Sequence, residues 1–172
     1  DNNDSDATIA YAICLKEGKG TDKNETLAKE LIEQLALQDD PEAQFIFAQW
    51  LQEERKFGIA YEWLIKASEN NHSEAPTKIG EMLEKGKCGT NAKMQEVVNW
   101  YKKSVEKGSL EGTYNMATMY HKGTHVVKDE KEAIRLYKIG AAEKHQPSIF
   151  SLSHIYQEMG DYQQAFDIAE FS

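Results

Sequence analysis

The sequence predicts an all-α fold, a solenoid of about five helix-turn-helix repeats over residues 7–172, on three observations. First, Gly112, Met116, Ala117 and Tyr120 recur at 0, +4, +5 and +8, and Ala133, Leu136, Tyr137, Gly140 and Ala141 at 0, +3, +4, +7 and +8. Each set falls on one arc at ~100° per residue, the one-sided stripe of an amphipathic helix. Its small residues allow close helix approach while Met, Leu and Tyr fill the gaps. Second, the pattern repeats. The first-helix anchors are Ala7, Ala43, Ala75, Gly112 and Ser148, spaced 36, 32, 37 and 36. The second-helix anchors are Ala28, Ala60, Val97, Ala133 and Ala165. Third, each second anchor stands 15 residues before the next first anchor, whereas the distance within a repeat varies as 21, 17, 22, 21 and 17. A fixed connection is packed against its neighbours; a variable one sits where length costs little.

The elements follow in order, after a polar lead-in at 1–6. Repeat one (7–40) predicts helices near 7–18 and 24–38. Gly18 and Gly20 supply left-handed backbone between them, and Leu31, Ile32, Leu35 and Ala36 form the buried stripe. Asp40-Pro41 opens repeat two (41–72) as an N-cap followed by proline at the first helical position. Its helices are expected near 41–54 and 57–70 with Trp63, Leu64 and Ala67 inward, and Asn71 stands where left-handed backbone is needed. Repeat three (73–108) is expected to start on a Ser73 cap with Pro76 in the first turn, and to run near 74–85 and 92–107. In repeat four (109–145), Asp129 and Glu132 read as a capping box. Repeat five (146–172) starts at Pro147, turns at Gly160-Asp161-Tyr162 and carries Ala165, Phe166, Ile168 and Phe171 on its last helix. Without a polar cap after Ser172, the chain is expected to continue or to pair end to end through that helix.

Composition narrows the function. The net charge is −9, from 20 basic and 29 acidic residues, and no basic stripe of the kind nucleic acid requires appears. No run approaches the ~18–20 apolar residues of a membrane helix. Cys14 and Cys88 lie two repeats apart, too far for an intramolecular disulfide, and fit either redox compartment. His121 and His125 lack the further ligands of a zinc site. Gly18-Lys19-Gly20-Thr21 lacks the spacing of a phosphate loop and follows a helix. Sequons at Asn3, Asn24 and Asn71 matter only in a eukaryotic secretory setting. No nucleophile, zincin or dinucleotide motif is present, and the abundant carboxylates single out no catalytic pair. The sequence therefore reads as non-enzymatic and without a cofactor.

The stretch Gly123-Thr124-His125-Val126-Val127-Lys128-Asp129, with Ala133, Leu136-Tyr137 and Gly140-Ala141, resembles the Sel-one-like repeat, a branch of the tetratricopeptide-repeat superfamily. Ile79-Gly80, Leu83, Gly86, Gly89-Thr90, Trp100-Tyr101 and Gly108 match in repeat three, and Ala12, Leu15, Gly18-Lys19-Gly20, Ala28 and Ala36 in repeat one. His125 replaces the second glycine, Lys93 the aspartate, and repeats two and five lack the glycine loop. The resemblance implies an α/α right-handed superhelical solenoid whose first helices line a concave face. On that face lie Ile9, Phe45, Thr77, Tyr114 and Phe150 at +2 from the anchors, and Ile13, Gln49, Glu81, Thr118 and His154 at +6. Glu42, Glu74 and Glu111 at −1 form an acidic margin suited to a basic peptide. The +2 ladder reads equally as a groove or as packing between first helices. The resemblance further implies an adaptor or scaffold for a protein or peptide, with two alternatives: a dedicated inhibitor or immunity protein, or a non-catalytic region of a larger envelope or secretion-associated protein. It favours a periplasmic or secreted bacterial setting over the cytoplasm.

Overall fold

A computed structural model describes residues 2–87 and 94–170. The helices are α1 (Asn2–Glu17), α2 (Glu25–Leu37), α3 (Pro41–Glu53), α4 (Phe57–Glu69), α5 (Ala75–Glu84), α6 (Met94–Glu106), α7 (Leu110–Lys122), α8 (Glu130–Ala142), α9 (Gln146–Glu158) and α10 (Tyr162–Glu170). Among the described residues there is no strand. The chain forms two compact units, 1–91 and 92–172. In the first, α1 packs on α2, α2 on α3, α3 on α4 and α4 on α5; in the second, α6 packs on α7, α7 on α8, α8 on α9 and α9 on α10. Cys88, Lys93 and Phe171 lie outside the described residues, and with them the expectation about Cys14 and Cys88.

The fifteen-residue spacing has a direct cause. Four residues before each following anchor, the backbone turns left-handed: Asp39 at φ 63°, Asn71 at 70°, Gly108 at 78° and Lys144 at 57°. The next N–H then reaches back five residues every time: Asp40 to Leu35 O (3.3 Å), His72 to Ala67 O (2.9 Å), Ser109 to Ser104 O (3.1 Å) and His145 to Gly140 O (2.9 Å). The left-handed residue itself donates three residues back, to Ala36, Ser68, Val105 and Ala141. This is the Schellman closure of a helix C-terminus. It has no spare residue, so its length cannot drift. Only one of the four positions holds glycine, and a left-handed conformation costs other L-residues ~1–2 kcal/mol. Lys144→Gly is therefore expected to stabilise the protein by about 0.5–1 kcal/mol in chemical denaturation, net of glycine's entropy; a loss of stability would contradict this origin of the strain.

The turns inside repeats one and four share a second geometry. Asn24 N–H donates to Leu15 O (2.9 Å) and Asp129 N–H to Tyr120 O (3.0 Å). His125, at φ 61°, takes the left-handed place held by Gly20 at 72°. The Asn24 and Asp129 side chains each accept the backbone N–H three residues on, Leu27 and Glu132, at 3.0 Å. The capping box at Asp129 is only half formed: its own N–H is already satisfied by Tyr120, and the Glu132 carboxylate turns to Arg135 (2.6 and 2.8 Å). The guanidinium's hydrogen bonds hold that carboxyl below its ordinary value.

Two other helix starts differ from the sequence reading. The first helix begins at Asn2, inside the expected lead-in, where Thr8 Oγ1 bonds Asp4 O (2.8 Å) and Ser5 bonds Asp40, the cap of α3. Ser73 does not cap α5. The cap residue is Glu74, and its N–H is taken by His72 Nδ1 at 3.2 Å. Asp40 caps α3 as expected, accepting Ala43 N–H at 2.8 Å.

Every anchor but one is buried where the sequence places it in a stripe, and Ala28, Ala43, Ala60, Ala75, Ala133 and Ser148 are inaccessible to solvent. Ala7, read as the first anchor, is exposed, because α1 turns Ile9, Ala12 and Leu15 inward instead. Gln44, also fully buried, ties the first hand-over to the second, donating to Ala36 O (3.1 Å) and accepting from Asn70 (3.0 Å). At the last hand-over Gly140 lies so close to α9 that a Cβ there would sit 2.7 Å from Ser148 Cβ.

Candidate interaction surface

In the 1–91 unit the residues expected on the first-helix face are largely engaged in packing. Ile9, Phe45 and Thr77 are buried, Gln49 is half-buried and Ile13 is at the edge of exposure. Glu81 pairs with Lys78 at 3.1 Å. Beside them, Lys16 bridges α1 to α3 through Glu53 and lies over the Trp50 ring at 4.5 Å. Phe45 has a specific partner, the His72 ring, stacked at 4.1 Å with an interplanar angle of 17°. His72 Nε2 in turn faces Glu42 at 3.1 Å.

The same trio recurs in the 92–172 unit. Tyr114 meets His145 edge-on at 5.7 Å, and His145 Nε2 faces Glu111 at 3.5 Å. In both units a histidine three residues before an anchor is clasped by the +2 aromatic and the −1 glutamate of the preceding first helix. Two of the three margin glutamates, Glu42 and Glu111, are thereby spent on holding successive repeats together. The histidines were not singled out by sequence, although their common offset from the anchors, opposite an aromatic at +2, is a readable signal. Aromatic pairs couple by ~0.5–1.5 kcal/mol beyond burial. A Phe45→Leu, His72→Gln double-mutant cycle is expected to return about 1 kcal/mol of coupling in urea denaturation; additive effects would show that the stacking contributes nothing.

Glu111, His145 and Ser148 also form a carboxylate–imidazole–hydroxyl chain, with His145 Nδ1 2.8 Å from Ser148 Oγ. Ser148 is completely buried against Gly140. No substrate reaches that hydroxyl, and the chain serves as a clamp on the hand-over.

The face opens in the second unit. Tyr114, Thr118, Phe150 and His154, four of the sequence-selected residues, converge on a pocket of about 200 Å³ between α7 and α9. Its wall is completed by His121, Lys122, Tyr137, Ser151 and Ile155. Thr118 Oγ1 donates to Tyr114 O (2.9 Å), so its contact with Tyr137 at 2.9 Å has the phenol as donor. Burial pushes the Tyr137 hydroxyl above its ordinary value, against hydrogen bonds to Thr118 and Ser151 that act the other way. It is a neutral, fixed group at the pocket floor. Phe150 is 75% exposed, the least covered aromatic on this face. On α10, Tyr162 and Phe166 are also exposed. Among the described residues no cluster of three or more metal-ligating side chains exists, and no helix is long and apolar enough to cross a membrane.

Paired helices joined by an invariant Schellman turn, with first-helix side chains left open beside a pocket, define a helical-repeat protein of the solenoid class. The chain belongs to the Sel1 repeat family: the Sel1 repeat model matches residues 5–40, 53–72, 73–109 and 110–145. Apart from residues 1–4, the unmatched stretches fall in repeats two and five, which lack the glycine loop. Sel1 repeats generally serve as protein-interaction scaffolds and are typically non-catalytic. Among solved structures, the chain is similar to a Sel1 repeat protein from Oxalobacter formigenes, with a TM-score of 0.81, 23% identity and coverage of 97% of this chain and 72% of that one. It is also similar to c5321, a protective antigen of uropathogenic Escherichia coli with the same fold, with a TM-score of 0.81, 21% identity and coverage of 96% and 38%. No curated protein matches the sequence.

Proposed function

We propose that this chain is a non-enzymatic adaptor that docks a protein or peptide partner against the α7/α9 face of its second unit. The observation that supports this is Phe150. A phenylalanine 75% exposed beside a pocket gives nothing to the core, whereas an aromatic anchor next to half-buried polar groups is what a binding hot spot uses. Ile9 and Phe45 are buried, so the working surface is the repeat-four and repeat-five end of the ladder. The adaptor and the dedicated inhibitor differ in affinity: the first holds partners moderately, the second one partner very tightly. The immobilised chain and its Phe150→Ala variant, offered proteins of the source cell, test the reading with Val127→Ala as control, since Val127 is 88% exposed and outside the pocket. Phe150→Ala is expected to lower capture of a specific partner at least tenfold without lowering the melting temperature, and Val127→Ala to leave capture unchanged. Equal capture by all three proteins would contradict docking at this face.

A further inference from the structure

We infer that the α7/α9 pocket selects an acidic peptide segment, an internal aspartate or glutamate side chain next to a large apolar residue of the partner. The inference rests on the docking reading and specifies its occupant. The chain carries 29 acidic residues against 20 basic, yet the pocket wall includes no carboxylate and one lysine, Lys122, together with two histidines, His121 and His154. Lys122 has no ion pair among the described residues. His121 Nδ1 is buried without a hydrogen-bond partner, Glu130 standing 4.0 Å away outside the pocket wall. His154, also on the wall, meets Glu158 through Nδ1 at 3.8 Å. The Ser151 hydroxyl completes the wall, its hydrogen bond made to Tyr137.

Lys122 on a wall without carboxylates fits a carboxylate ligand, which gains most from a charged donor. Phe150 and Ile155 beside it fit an adjoining apolar side chain. The pocket is open to solvent rather than enclosed, so it can admit a side chain from a segment lying over it. The acidic margin expected to attract a basic partner does not act here: Glu111 is held by His145.

A random heptapeptide library with both ends embedded in a carrier protein, selected on the full chain and counter-selected on Phe150→Ala, tests this. The expected winners carry Asp or Glu beside Phe, Leu, Met or Trp. A synthetic winner, acetylated and amidated, is expected to bind at least tenfold more weakly when its Glu is replaced by Gln. It is expected to lose a similar factor against Lys122→Glu, and to weaken steadily with added NaCl. Lys122→Gln, with a smaller loss at unchanged melting temperature, separates charge from folding. Winners that depend on Phe150 but are neutral or basic would overturn the inference and leave the docking reading standing. Binding only by peptides with a free C-terminus would overturn the internal side chain as the source. A library yielding no Phe150-dependent peptide would overturn both.

Discussion

Tyr137→Ala is expected to destabilise the 92–172 unit by about 3–5 kcal/mol, the range for removing a buried aromatic from a core. The ring is 2% exposed and its hydroxyl is bonded to Thr118, so truncation leaves both a cavity and a broken polar contact. Tyr137→Phe separates the two. It keeps the ring and forfeits the hydroxyl's hydrogen bonds to Thr118 and Ser151, a loss of about 1–2 kcal/mol. Urea denaturation of the two variants therefore should differ by several kilocalories per mole. The phenylalanine variant should also weaken peptide binding at the pocket, because its floor loses the fixed donor that orients Thr118. If the two variants unfold alike, Tyr137 is not a core residue in the sense described.

Gly140→Val is expected to cost about 3 kcal/mol, at the upper end for overpacking. Alanine at a helical glycine normally gains ~0.5–1 kcal/mol in backbone entropy, and at an open position it would stabilise. Here a Cβ would lie 2.7 Å from Ser148 Cβ, and Ser148 is completely buried and bonded to His145, so it cannot withdraw. The clash outweighs the gain, and Gly140→Ala should lose about 1–2 kcal/mol. Ser148→Gly opens the space again. In the double variant the alanine should cost at least 1 kcal/mol less than in the native background, measured as coupling in a double-mutant cycle. Additivity would mean that the helices separate freely and that Gly140 is not a contact point.

Much of the fold was legible because one physical constraint recurs. Small anchors at a constant spacing mark where helices touch, and the structure buries Ala43, Ala75 and Ser148 accordingly. Asn71 was readable as left-handed because asparagine tolerates that region. Lys144 was not, since lysine does not announce it, and Asp39 was overlooked although aspartate also tolerates that region; the constant spacing implies both conformations. The cap at Ser73 was misread because a histidine ring, not a serine hydroxyl, takes the Glu74 N–H. The candidate surface was legible only in part. Periodicity identifies the residues at +2 but not whether a neighbour covers them. Phe45 is covered because His72 follows it at the next hand-over, and Tyr114 is half-covered because His145 does the same. Phe150 stays open. The absence of carboxylates from the pocket wall was hidden by the chain's net charge of −9, an average that says little about any one cleft.

The central claim is that rigid hand-over turns, rather than the turns within repeats, set how these helices stack. Two insertions of the same Gly-Ser pair test it most directly, one after Val126 inside repeat four and one after Lys144 at the hand-over. A longer flexible loop adds only a fraction of a kilocalorie per mole of closure entropy. The Val126 insertion is therefore expected to unfold within about 1 kcal/mol of the native chain, with hydrogen-exchange protection of α9 and α10 retained. The Lys144 insertion breaks the His145 to Gly140 bond and the Gly140–Ser148 contact, and should strip protection from α9 and α10 while α7 and α8 keep theirs. Equal protection in the two proteins, or a larger loss after Val126, would contradict the account.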